Sequence, residues 1–346
     1  MQFCKLSMFT QNCRNVIREG VFTDMENIWN IADQTIRTGE KKQVYIQVSD
    51  SEEYMPVTFI NGVKEGKTVL VTAGIHGGEY EGIHAACEIA RDLKPEDISG
   101  RLAIIHPVSV QTFKAKQENI TPIDGKNLNR VFPPNPNGTL TDKIAWTLWD
   151  KFQSHCDFHM DLHGCYSEWI TPHVYYTGVA CDEVVKTARE AAKYVNVEYM
   201  VKSVATTGAY NHAGVNGIPG ILLERGHSNL LSDDDVILYK KDVINVLKHL
   251  GILEGDPVKP EKEPVDVCDL RYVNSKYHKN ACWHPTVRVN EKFKKGDKLG
   301  TVRDFFCNTL DETYAEYDGI ILYMYGMMPI SPFGFEICYA RISDEN

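Results

Sequence analysis

Two side chains that could share a metal ion stand three residues apart in the stretch TVLVTAGIHGGEYEG, residues 68–82. His76 and Glu79 are separated by two glycines and follow the apolar run Val69–Val71. An imidazole nitrogen and a carboxylate oxygen are both ligands that zinc accepts. On its own, this spacing also fits a solvated glutamate beside a hydrogen-bonded histidine. The glycine pair and the preceding run favour a metal site, with His76 ending a strand and Glu79 starting a helix.

A further candidate ligand ends the apolar stretch FHMDLHG, residues 158–164. His163 lies at the predicted end of this strand, and Asp161 precedes it by two residues. A third protein ligand would complete a site with one open position, which is the arrangement of catalytic zinc. Asp161 could accept a hydrogen bond from a ligand imidazole and so fix its tautomer. Taken alone, His163 would be interpreted as a core histidine bonded to backbone.

The long segment 112–138 carries groups that suit an anionic substrate. It contains the run DGKNLNRVFP, residues 124–133. Arg130 offers a planar set of donors that matches a carboxylate, and Asn129 adds an amide donor. A surface arginine is usually only solvated, whereas a loop of this length is usually either functional or disordered. We therefore expect Asn129 and Arg130 to bind a substrate carboxylate.

Glu224 ends the apolar stretch IPGILLE and is followed by Arg225 and Gly226. A carboxylate at the end of a buried strand has few structural roles. Here it would be placed to take a proton from water and give it to a leaving amine. The alternative interpretation is a buried ion pair between Glu224 and Arg225.

The elements that must position these residues alternate between strand and helix. Apolar runs predict strands at 43–48, 55–60, 69–71, 101–108, 157–162, 172–177 and 218–224. Apolar positions at helical spacing predict helices at 83–93, 141–156, 182–195 and 233–250. This alternation predicts an α/β fold in which helices flank a mixed, largely parallel sheet.

The organisation changes after residue 255. Residues 256–264 consist mostly of prolines and charged side chains, which is typical of a linker. No helical period persists beyond it, and short β runs separated by Gly-Asp and Asp-Gly turns follow. We therefore expect a catalytic α/β domain at 1–255, a linker at 256–264 and a small β domain at 265–346.

Composition excludes several classes of function. The net charge of −10 and the lack of a long Lys/Arg block argue against nucleic acid as a partner. No apolar stretch approaches 18 residues, so no membrane span is expected. The ten cysteines include no C-x-x-C pair, and the N-terminus lacks the apolar core of a signal peptide. We expect a cytoplasmic protein with reduced thiols.

The four motifs together resemble the succinylglutamate desuccinylase/aspartoacylase family, which belongs to the zinc carboxypeptidase-like (M14) clan. The resemblance runs in order over residues 40–255. It rests on His76-x-x-Glu79, on D-G-x-N-L-N-R-x-F-P, on D-L-H-G at 161–164 and on Glu224. The region from 265 onward resembles the family's β-rich, barrel-like C-terminal domain, which would serve as a gate or an oligomer contact.

The resemblance implies a zinc-carboxypeptidase-like fold and one Zn²⁺ per chain. It assigns the metal ligands to His76, Glu79 and His163. It assigns Glu224 as the general base and then the acid. The substrate-binding residues that it implies are Asn129, Arg130 and Tyr210. Family members usually carry a second arginine, which polarises the scissile carbonyl, where this sequence has Asn119. Lys114, Lys116 or the metal alone would then supply that role.

The function implied is a zinc-dependent amide hydrolase that removes the acyl group from an N-acyl amino acid or a similar small carboxylated amide. The main alternative is a metallocarboxypeptidase that acts on short peptides. A non-enzymatic binding protein would be expected to lose a ligand or the base, yet all four residues are present. The protein could also form a homo-oligomer. The sequence does not identify the acyl group or the amino acid of the substrate.

Overall fold

The computed structural model describes residues 28–117, 119–165, 168–226, 231–275, 280–326, 328–330 and 335–343. The N-terminal stretch 1–27 lies outside them. The described helices are, in chain order, α1 (Tyr80–Asp92), α2 (Val110–Lys114), α3 (Leu140–Lys151), α4 (Asp182–Ala192), α5 (Ala209–Val215) and α6 (Asp233–His249).

The described strands, in chain order, are β1 (Trp29–Ile31), β2 (Gln34–Ile36), β3 (Glu40–Gln47), β4 (Tyr54–Asn61), β5 (Lys64–Ala73), β6 (Ser99–Ile105), β7 (Phe158–His163), β8 (Glu168–Ile170), β9 (His173–Thr177), β10 (Tyr199–Ser203), β11 (Gly220–Glu224), β12 (Val265–Val273), β13 (Ala281–Pro285), β14 (Lys292–Phe293), β15 (Lys298–Asp304), β16 (Thr309–Tyr314), β17 (Gly319–Tyr325) and β18 (Ile337–Ile342). Every helix in the described ranges is too short or too polar to span a bilayer. The cytoplasmic location stays a prediction.

One large mixed sheet carries most of these strands, in the order β14-β17-β18-β12-β10-β9-β11-β7-β5-β6-β4-β3, with β8 on β17. The central neighbours β6-β5-β7-β11 are parallel, as are β9-β10-β12. The pair β9-β11 and the outer strands at both ends are antiparallel. The α/β class is confirmed, but the expectation of a largely parallel sheet holds only for the central part.

Both faces of the central strands are buried, which explains their unbroken apolar runs. On β5, Val69 and Val71 pack against the layer that contains α1, α4 and α6. Leu70 points to the opposite face and packs with α3 and with β1 and β2. The carboxyl ends of β5, β7 and β11 therefore lie at one edge of a sheet that is covered on both sides.

The C-terminal strands extend this sheet rather than closing into a barrel. Strand β12 pairs in parallel with β10, and β18, β17 and β14 follow it outward. A separate three-stranded sheet, β13-β15-β16, lies beside them. Among the described strands neither sheet closes on itself, so the barrel-like expectation is not confirmed.

Residues 256–264 contain neither helix nor strand. The segment is held to α6, because the amide of Asn245 accepts a hydrogen bond from the N–H of Val258 at 2.6 Å and donates to its carbonyl. The division at 255 and 265 stays a prediction.

Candidate active site

Three side chains from two neighbouring strands converge at the carboxyl edge of the sheet. His76 follows β5, Glu79 directly precedes α1, and His163 is the last residue of β7. One potential ligand atom from each lies within 4.8 Å of the other two. The Nδ1 atom of His76 is 2.8 Å from Oε1 of Glu79, and Nδ1 of His163 is 3.2 Å from Oε2. The structure thus brings together the three residues predicted as metal ligands.

The turn that carries His76 and Glu79 requires glycine. Gly74 has a φ of 72°, in the region that favours glycine. A Cβ on Gly77 would lie 2.1 Å from the backbone nitrogen of Phe113 in α2. The turn can pack this closely against α2 only without a side chain, which explains the glycines beside the two candidate ligands.

Hydrogen bonds behind the histidines fix the direction of both rings. The Nε2 atom of His163 lies 3.1 Å from Oδ2 of Asp161, whose other oxygen accepts from the hydroxyl of Thr72 at 2.6 Å. On the other side, Nε2 of His76 lies 3.1 Å from Oδ1 of Asn127. Both Nδ1 atoms therefore point toward Glu79. The contact between Asp161 and a candidate ligand is the one expected from the sequence.

The electrostatics of this cluster favour positive charge at its centre. Burial alone would raise the pKa of Glu79, but the nearby His163 and His76 outweigh it and lower that pKa. Burial alone would lower the pKa of His163, but Glu79 and Asp161 raise it well above its usual range. Two ionised carboxylates, Glu79 and Asp161, thus flank the imidazole of His163, which is only 2% exposed.

The donor atoms fit a zinc ion. Two imidazole nitrogens and one carboxylate form the N/O set that three-ligand catalytic zinc sites use. Oε2 of Glu79 is buried and makes no hydrogen bond to any described residue, although it faces His163. A buried carboxylate oxygen without a donor is costly unless a cation satisfies it.

Glu224 lies beside this cluster because β11 pairs with β7 in register, which sets Glu224 opposite His163. Its carboxyl group is buried and lines the same cavity. The guanidinium of Arg225 donates to Asp242 on α6, at 2.9 Å from Nε. This buried ion pair gives no support to the alternative interpretation of Glu224 as the partner of Arg225.

Tyr239 on α6 is a residue that the sequence analysis missed. Its hydroxyl donates to the carbonyl of His163 and accepts from the N–H of Arg225 at 2.8 Å. It joins the ends of β7 and β11, the two strands that carry His163 and Glu224. The only sequence indication was the position of Tyr239 on the buried face of a helix, which suggests packing rather than a site.

A cavity of about 400 Å³ opens over the cluster. Asn129 and Arg130 reach it from a short helical turn, Leu128–Arg130. Oδ1 of Asn129 accepts from the N–H of Ala209 at 2.9 Å, which fixes the amide. Arg130 is exposed and donates to the carbonyl of Asn129 at 3.1 Å. Arg130 forms no ion pair with a described carboxylate, so its guanidinium can bind an anionic group of a ligand.

Tyr210 on α5 is buried and lines the cavity, as expected for a substrate-contacting residue. Asn119, which stands where the family usually has an arginine, also lines it. Lys114 and Lys116 instead lie beside another pocket with Tyr80. Neither lysine lines the cavity, so the structure does not support them as replacements for that arginine.

The cavity is also lined by four aromatic residues that sequence reasoning missed, and we refer to them as the tyrosine end: Tyr175, Tyr272, Tyr323 and Phe335. Tyr175 lies on β9, and the other three come from residues 265–346. Burial raises the pKa of Tyr175 and Tyr323 well above their usual range, so these phenols stay neutral. We refer to His76, Glu79 and His163 as the metal end.

Comparisons with known proteins identify the family of this chain. Residues 65–250 match the model of the succinylglutamate desuccinylase/aspartoacylase catalytic domain. An N-alpha-acetyl-L-2,4-diaminobutyric acid deacetylase from Halomonas elongata is 29% identical over 276 residues, which cover 77% of this chain and 80% of the relative. The relative and the family model are named for deacylases, which does not favour the carboxypeptidase alternative.

Solved structures share the fold. A succinylglutamate desuccinylase/aspartoacylase from Rhodobacter sphaeroides superposes with a TM-score of 0.78 at 24% identity, over 88% of this chain and 96% of that one. The product-bound ectoine utilization protein EutE (DoeB) from Ruegeria pomeroyi gives 0.75 at 24% identity, over 87% and 94%. With its catalytic half matched by the family model, this chain belongs to the succinylglutamate desuccinylase/aspartoacylase family of amide-hydrolysing deacylases.

Proposed function

We propose that the protein is a zinc-dependent deacylase that hydrolyses the amide bond of a small N-acyl amino acid. His76, Glu79 and His163 would hold the zinc ion. When bound, zinc supplies Lewis-acid chemistry toward water and the scissile carbonyl. The relative from Halomonas elongata, named as a deacetylase of an acetylated amino acid, supports this substrate class.

The carboxylate of Glu224 acts first as a base and then as an acid. It takes a proton from the attacking water and returns it to the departing nitrogen. Its buried place opposite His163 keeps it within the same cavity as the three donor atoms. This placement is the observation that carries the proposal, because a base outside that cavity could not reach the same water.

Arg130 and Asn129 bind the carboxylate of the substrate, and Tyr210 contacts it from α5. Holding the substrate by its carboxylate converts binding energy into orientation of the amide bond. Asn119 brings no positive charge, so a bound metal would have to supply the oxyanion stabilisation on this side of the cavity.

A panel of substrates tests the proposal. Zinc-loaded protein is incubated with N-acetyl, N-succinyl and N-aromatic-acyl amino acids and with short peptides, and release of the free amino acid is measured. We expect turnover of at least one N-acyl amino acid and little cleavage of peptides. Turnover of peptides alone would contradict a deacylase.

A variant tests the role of Glu224. Glu224→Gln keeps the shape of the side chain but cannot take a proton, so kcat should fall by about 10²- to 10⁴-fold while zinc content stays unchanged. Glu198→Gln, an exposed carboxylate outside the cavity, serves as the matched control. Near-normal turnover in Glu224→Gln would remove this residue from its proposed role.

A further inference from the structure

Tyr323 on β17 reaches Glu224 from the C-terminal strands, 99 residues along the chain. Its hydroxyl lies 3.2 Å from Oε1 of Glu224, 3.0 Å from Nε2 of His173 and 3.1 Å from the hydroxyl of Tyr175. Tyr323 and Glu224 are each 8% exposed, and His173 is fully buried. Hydrogen bonds in such a site are stronger than those exposed to water. The free energy of Glu224 therefore depends on which of these groups donates a hydrogen bond to it.

The protons of this group can be assigned from its partners. Nδ1 of His173 lies 2.7 Å from the carbonyl oxygen of Thr171, which can only accept, so Nδ1 carries the hydrogen. Burial lowers the pKa of His173 to about 4, so the ring is neutral and Nε2 can only accept. An ionised Glu224 can also only accept. Two groups that can only accept therefore compete for the single proton of the Tyr323 hydroxyl, whereas the third neighbour, the hydroxyl of Tyr175, can donate as well as accept.

Charge decides this competition. A hydrogen bond to a carboxylate is roughly twice as strong as one between neutral groups. While Glu224 is ionised, the hydroxyl of Tyr323 points to its Oε1. Once Glu224 has taken a proton from water, that advantage disappears and the hydroxyl can rotate toward Nε2 of His173. Tyr323 keeps its own proton throughout, so the exchange needs only rotation about one C–O bond.

We propose that Tyr323 is a positioning residue for Glu224, with His173 as the alternative acceptor that lets the same hydroxyl serve both protonation states of the carboxyl group. The inference rests on the proposed function, because it requires Glu224 to be the base. It gives the C-terminal strands a part in the chemistry beyond covering the cavity.

Tyr323→Phe tests the proposal, because it removes one hydroxyl and keeps the ring. We expect kcat to fall by about 10- to 100-fold, as for the loss of a hydrogen bond to a charged group. KM should stay within about threefold, and zinc content should not change. Tyr339→Phe is the matched control: it lies on the neighbouring strand β18, is buried and does not line the cavity. Its kcat should stay within about twofold of the wild-type value.

His173→Asn provides a second test that does not touch the cavity lining. The asparagine amide can still donate to Thr171, but the acceptor Nε2 is gone. We expect kcat to fall by about 3- to 10-fold with an unchanged KM. If Tyr323→Phe does not fold, as judged by circular dichroism, this variant decides the question.

Three results would overturn the inference. An unchanged kcat and KM in Tyr323→Phe would show that the hydroxyl of Tyr323 has no part in the reaction. A rise in KM alone would show that this hydroxyl contacts the substrate instead of positioning Glu224. These results differ from a failure of the proposed function, in which the wild-type protein itself would hydrolyse no N-acyl amino acid. An equal loss of kcat in Tyr339→Phe would also contradict the positioning role, because it would reflect general damage to the C-terminal strands.

Discussion

The metal end and the tyrosine end of the cavity are built in opposite ways. The metal end takes its three donors from the ends of two adjacent parallel strands and places ionised groups against each other. The tyrosine end draws neutral phenols from strands that are far apart in sequence, including β12 and β17. The difference teaches that the proposed metal ligands stand in short local motifs, whereas the aromatic groups around them depend on how the whole sheet is assembled.

Removal of metal should have the largest effect on turnover, and this effect should arise at the metal end alone. Treatment with a chelator should lower turnover by more than about 10³-fold, because the metal end holds all the proposed Lewis-acid chemistry. Adding Zn²⁺ should restore it, whereas Mg²⁺, which prefers oxygen ligands, should not. Metal analysis measures the metal content, and steady-state kinetics measure turnover. Full activity in protein shown to be free of metal would contradict the assignment of the metal end.

Asp161→Asn should have an intermediate effect that is confined to the metal end. The variant weakens the acceptor that orients His163, so the affinity for zinc should fall by about 10- to 100-fold. Competition with a metal indicator gives the dissociation constant. Asp157→Asn, an exposed residue just before the same strand, is the control and should bind zinc normally. An unchanged affinity in Asp161→Asn would show that His163 does not need this partner.

Tyr272→Phe should have the smallest effect of the three. Tyr272 lines the tyrosine end, and loss of one neutral hydrogen bond should change kcat/KM by less than about tenfold, mainly through KM. Zinc content should stay normal. If this variant lost its metal, the two ends could not be treated as independent, and the comparison between them would have to be abandoned.

Much of the metal end could be predicted from the sequence, because its residues stand in short runs with special spacing. His76 and Glu79 share one turn, and His163 and Glu224 each end an apolar strand. The carboxyl ends of neighbouring parallel strands lie at one edge, so strand ends are a reliable guide to shared position. The contact between His163 and Asp161 could be predicted, because the two residues are neighbours in the sequence. The hydrogen bond from Thr72 to Asp161 could not, because it joins residues 89 positions apart.

The tyrosine end could not be predicted for the same reason. Tyr323 and Glu224 meet only because β17 joins the large sheet, and no local pattern marks a tyrosine in an apolar strand as a partner of a distant carboxylate. The expected barrel-like C-terminal domain was not confirmed for the same reason. The composition of 256–264 indicates a linker, but it does not reveal that β12 pairs with β10 on the other side of it.

That pairing also bears on how a substrate enters. The residues from 265 onward that line the cavity are joined to the α/β strands through three residue pairs between β10 and β12 and an irregular ladder between β12 and β18. Moving this wall away from the site would break those backbone hydrogen bonds, at a cost of about 1 kcal/mol each. A route of entry that leaves the ladder intact therefore costs less free energy, and such a route limits the size of the molecules that can reach the cavity.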